Sequence, residues 1–154
     1  MKRTRIVDTI ACAFDAIEIA CDLIGKSNRK GGYLCVTDNL GQLITLTQIG
    51  QVPDKKKPKY AQFAQEKAVR LSKHSQHVSS WQSRNPREDM WGGAIRSSQF
   101  IFSFSGLPEE WDEACTLVIA HDVGELDNIE FNAIARISQN QFAASLKKSV
   151  AEID

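Results

Sequence analysis

Residues 91–120, WGGAIRSSQFIFSFSGLPEEWDEACTLVIA, carry the pattern that decides the fold. Gly92 and Gly93 open a strand and Ser97 with Ser98 turns it. The chain then returns from Gln99 to Ser105, with Phe100, Phe102 and Phe104 alternating with Ile101 and Ser103 at the period of a strand. Gly106 ends the run. Leu107-Pro108-Glu109-Glu110 starts a helix, with proline where a missing N–H costs least and acids where the positive end of the helix dipole favours them. Trp111, Ala114, Cys115, Val118 and Ile119 form the apolar face of that helix, and His121 suits its negative end.

Upstream, Ile6, Ile10, Ala13, Ile17, Ala20 and Ile24 step by threes and fours, which predicts a helix over residues 4–24 stopped by Gly25, with Phe14 and Cys21 widening its face. Asp8, Asp15 and Asp22 fall on the far side as a solvated acidic edge. After a polar loop and Gly31-Gly32 come two short strands, residues 33–36 and 43–47, joined by the turn residues Asp38, Asn39 and Gly41. Residues 49–59 are expected as a loop, and its KKKPK run as a solvated basic cluster. A second helix is predicted over residues 60–78 from Tyr60, Ala64, Ala68, Leu71 and Val78.

Turning that helix at 3.6 residues per turn places Phe63, Lys67, Arg70 and His74 along one margin of its buried face. The margin has two readings, a binding edge or long basic side chains lying over the rim of the core. Residues 79–90 should be a loop flanked by Trp81 and Trp91, rings that either cover the core or wall a pocket. Residues 129–150 are expected as one terminal helix, packing on the domain or on another copy of the chain. Hairpins joined by turns too short for a parallel crossover make the class α+β with antiparallel pairing.

Length sets one domain, and 19 basic against 19 acidic residues leave no field directed at nucleic acid or anionic membrane. No apolar run approaches the roughly 20 residues of a membrane span. The four cysteines are scattered without a metal-binding spacing, so they are expected as reduced thiols in a cytoplasmic protein. Nucleotide-binding glycine fingerprints, HExxH and GxSxG are absent, which argues against an enzyme, and Ser105 before Gly106 is read as a strand-end serine. The candidate ligand site is therefore built from Lys67, Arg70 and His74 on the second helix and the bare backbone of Gly92, Gly93 and Gly106, where cations and free N–H groups can hold an anionic group. A structural role for the same glycines stands beside it. The rival class is an oligomeric interaction domain with no small ligand.

Three motifs resemble the GlcG/HbpS-like family of haem-binding, or haem-degrading, domains. Val36-Thr37-Asp38-Asn39-Leu40-Gly41-Gln42-Leu43-Ile44 is similar to the family's first strand turn, and Lys67-Ala68 with His74-Ser75 fits its second helix. Gly92-Gly93, then Ser105-Gly106-Leu107-Pro108 with Asp112 beyond, is the most specific match. The resemblance spans roughly residues 5–122 and implies a profilin-like antiparallel sheet of about five strands flanked by helices; the domain is taken as residues 1–126, with 127–154 as a C-terminal helical extension packing on it or on a partner subunit. The resemblance also implies homo-oligomers and a tetrapyrrole, haem or cobalamin, as the ligand. This chain departs from the family at Gly92-Gly93-Ala94-Ile95-Arg96, which lacks the usual proline, and its first helix has no histidine.

Overall fold

A computed structural model describes residues 1–25 and 29–153; residues 26–28 of the polar loop and Asp154 of the C-terminal extension lie outside the described residues. Helix α1 (Arg3–Ile24) leads into the hairpin of β1 (Lys30–Asp38) and β2 (Leu43–Gln51), followed by α2 (Lys57–Ser72). A second hairpin, β3 (Ala94–Arg96) and β4 (Phe100–Ser105), precedes α3 (Glu109–Asp122), α4 (Asn128–Ile137) and α5 (Ala143–Ala151). The hairpins join through β1 and β4 into one antiparallel sheet of order β2-β1-β4-β3. Among the described residues the sheet has four strands where about five were expected. Beyond β3 the pairing continues only as a bridge between Ser79 and Ile95, because the loop leaves the edge at once in a short 3-10 turn, Ser80–Ser83.

Alternation along the strands sends side chains to two layers. Leu34, Val36, Phe102 and Phe104 join α1, α3, α4 and α5 in the larger core. Cys35, Ala94 and Ile101 meet Ala64, Ala68 and Leu71 of α2 on the other face. Three of those contacts are alanines, so α2 lies close to the strands, and the Ser103 hydroxyl reaches the Ala64 carbonyl at 2.7 Å. That closeness positions the site described below.

Two predicted helices are shorter than their patterns. Helix α2 stops at Ser72 instead of Val78, since Lys73–Gln76 offers nothing apolar to repay further turns. It begins earlier, with Lys57, Pro58 and Lys59 of the basic run forming its first turn instead of a loop. The terminal helix is two: Gln139 takes a left-handed φ of 54°, and the Asn140 side chain then accepts from the N–H groups of Phe142 and Ala143 at 3.0 Å to start α5. Phe131, Ile134, Leu146 and Val150 enter the larger core, so the extension's apolar faces are largely used on the domain itself. Among the described residues no helix is long and apolar enough to cross a membrane.

Candidate ligand cleft

Lys67 leaves α2 on the side facing the sheet and is almost fully buried. Its ammonium donates to the Phe104 carbonyl at 2.8 Å and to Asp112 Oδ2 at 2.9 Å. The other carboxylate oxygen of Asp112 accepts the Leu107 N–H at 2.9 Å, which fixes the turn between β4 and α3. Burial raises the Asp112 pKa from 3.8 to about 6, against the opposing pull of Lys67, the Leu107 N–H and Arg29. Gly93 makes room for this pair. Its φ is 130°, and a Cβ there would come within 2.7 Å of the Lys67 ammonium and 2.9 Å of the Phe104 carbonyl oxygen. Gly106 serves β1, since a Cβ would meet the Gly31 carbonyl oxygen at 2.4 Å.

Above the pair opens a cleft of about 600 Å³ between the N-terminal half of α2 and the first turn of α3. Tyr60 and Phe63 of α2, Trp91, Trp111 of α3 and Phe142 bring aromatic rings to it. Trp111 and Phe142 stack with centroids 4.3 Å apart. Lys56 and Lys59 edge the α2 side, placed 6.0 and 5.6 Å from the Tyr60 and Phe63 ring centres. Asp89, Glu109 and Glu110 edge the opposite side. Glu109 is held there by the Arg84 guanidinium, at 2.5 and 2.9 Å, and by the Gly92 N–H at 3.1 Å.

Of the residues proposed from sequence, Lys67 and Gly106 line the cleft. Arg70, His74, Gly92 and Gly93 are not among its lining residues. Arg70 is spent on structure, donating to the Ser80 carbonyl, the Ser83 hydroxyl, the Trp91 carbonyl and Glu66, and so fastening the 79–91 loop to α2. His74 lies past the end of α2, stacked on His77 with ring centres 4.6 Å apart. The start of α3 does not suit an anion as expected, because Glu109, Glu110 and Asp112 already occupy its first turn. Cationic charge at the rim comes instead from Arg29, Lys56 and Lys59. The spacing of the two lysines to Tyr60 and Phe63, four residues in each case, is the signal in the sequence that marks this wall. Ser105 also lines the cleft, with no imidazole beside it in the lining.

Among the described residues no group of three or more His, Cys, Asp or Glu side chains is arranged to hold a metal ion. Comparison of the chain with protein-family models, with curated proteins and with solved structures gives no match.

Proposed function

We propose that this is a small-ligand-binding domain of GlcG/HbpS-like, profilin-like type, whose ligand is a planar ring system carrying a carboxylate and lies between α2 and α3. One observation carries this: aromatic side chains from four separate segments converge on a single cleft of about 600 Å³, edged on one side by Lys56 and Lys59. Rings on several sides favour a flat π-system, and the two ammonium groups pair with its acid. The volume falls within the range of small-molecule and cofactor sites.

A haem held by an iron–histidine bond does not fit, since the lining offers no imidazole, thiol or thioether and His74 lies elsewhere. A porphyrin in this cleft is held by stacking and by its propionates, whereas a cobalamin, whose side chains are amides, brings no carboxylate for Lys56 and Lys59 and serves as the contrasting probe.

Metal-free protoporphyrin, haemin and cobalamin are the probes, with Trp91 and Trp111 as built-in fluorophores in the lining. Saturable quenching is expected with protoporphyrin and haemin alike. Lys56→Ala with Lys59→Ala should weaken binding by roughly tenfold to a hundredfold, the worth of two partly exposed charge-assisted contacts. His74→Ala should change nothing. Linear, unsaturable quenching by every probe would remove the proposal, and binding that depends on His74 would move the site off the cleft.

A further inference from the structure

The two edges of the sheet are finished differently. At the β3 edge the strand is three residues long and is shielded by the Ser79 bridge and by the Arg96 N–H donating to the Val78 carbonyl. At the other edge β2 runs for nine residues, LITLTQIGQ, without a charge or a proline, and among the described residues it pairs within the sheet only with β1. Such an edge lacks the charges and prolines that keep strands from pairing with another chain, and its bulge, at Ile44 near the start, leaves residues 45–51 in regular register with β1.

The helix above it continues the same surface. Helix α1 lies over β1 and β2, and α3 lies over β3 and β4. Arg5 points toward α3, with its guanidinium 2.6 Å from Glu125 just past that helix. Phe14 is nine residues further on, about 180° round a helix of 3.6 residues per turn, so it faces away from α3 and over the free edge of β2. Val7 lies one heptad before Phe14 on the same flank, and the two are 60% and 47% exposed.

We propose that a second copy of this chain covers this surface, β2 pairing antiparallel with β2 of the other copy and α1 packing on α1. The surface is complementary to itself. Two antiparallel α1 helices related by a dyad between Ile10 and Ala11 set Val7 of each copy against Phe14 of the other, and Arg3 of each against Glu18 of the other. Arg3 and Glu18 are both exposed and both border the apolar flank. The spacing also agrees. Strands stand about 4.8 Å apart, and with α1 seated over β1 and β2 the paired helix axes fall about 10 Å apart, a packing distance for helices. A net charge of zero adds no repulsion between copies.

Sedimentation equilibrium on the intact chain should give twice the 17.2 kDa protomer mass. Hydrogen exchange of the β2 amides should slow as concentration rises. Phe14→Glu, and independently Val7→Glu, should weaken the dimer at least a hundredfold with the circular dichroism and melting curve of the monomer kept. Arg3→Glu or Glu18→Arg alone should each weaken it roughly tenfold through two repelling pairs, and the two together should restore it. A monomer at every concentration overturns the proposal. So does a dimer indifferent to Phe14→Glu, or a double charge swap weaker than either single one.

Discussion

Asp112 and Glu113 are consecutive residues of α3, both buried, and the fold accommodates their carboxylates in different ways. Asp112 faces the cleft floor and is met by the ammonium of Lys67 and the Leu107 N–H. Glu113 turns about 100° round the helix and meets only neutral donors. These are the Ser79 hydroxyl at 2.5 Å, the Ser138 hydroxyl and the Asn140 amide at 3.0 Å. Burial raises the pKa of each. The first carboxylate ties α2 to α3 through a single charge, whereas the second gathers the sheet-edge bridge at Ser79, the end of α4 and the start of α5 through several weaker contacts. An ionic tie fails whole when one partner is removed. A set of hydroxyl and amide contacts can lose its charge and keep most of its bonds.

Lys67→Met tests that distinction with the largest effect. It leaves Asp112 buried with no cation in contact, and a loss of about 3–5 kcal/mol in urea unfolding is expected. Lys67→Met combined with Asp112→Leu should recover most of it, because the stranded charge is then gone. A single-variant loss near zero would mean that Asp112 simply takes up a proton and that the pair ties nothing. Glu113→Gln should cost less, about 1–2 kcal/mol, since the amide oxygen still accepts and its NH₂ can donate to a serine oxygen after rotation of the hydroxyl. If it costs as much as Lys67→Met, the negative charge of Glu113 is what holds the C-terminal helices.

Much of this architecture was legible because it rests on local periodicity. The two hairpins, α1 and the Pro108-led start of α3 follow from alternation, three-and-four spacing and helix-start residues. Helical spacing puts Lys67 on the margin of the buried face of α2, but spacing alone does not say whether such a lysine lies in solvent or, as here, under the helix. That depends on how closely α2 approaches the sheet, which the small residues Ala64, Ala68 and Ala94 set across two elements far apart in sequence. The aromatic walls share this difficulty: Trp111 and Phe142 each read as an apolar helix residue until α3 and the start of α5 bring them into a stack. Arg70 and His74 show the converse. Their helical phase matched a binding margin, but the loop that Arg70 fastens and the early end of α2 are tertiary outcomes. The break within the terminal helix had a local signal, Asn140 as the side chain that starts α5, masked by the apolar residues on either side.

The last effect is a change of slope with pH, and its sign is fixed by burial. Asp112 titrates near 6 in the folded chain against 3.8 unfolded, so the folded state holds the proton more tightly. Its contribution to stability is then fully present below the unfolded value and is lost as pH rises through the folded one. The groups acting on it, Lys67, the Leu107 N–H and Arg29, all pull the other way and do not overcome desolvation. Asn at position 112 keeps an acceptor for the Leu107 N–H and does not titrate. The gap in unfolding midpoint between the native chain and Asp112→Asn should therefore narrow, in the native chain's disfavour, from pH 4 to about 6.5, and be level above that. Glu113→Gln should show a slope of the same sign, because Glu113 is also raised by desolvation and has a like charge, Glu109, acting on it. A gap that instead widens in favour of the native chain as pH rises would mean that attraction to Lys67 outweighs burial, and the contrast between the two carboxylates would then be one of sign as well as of partner.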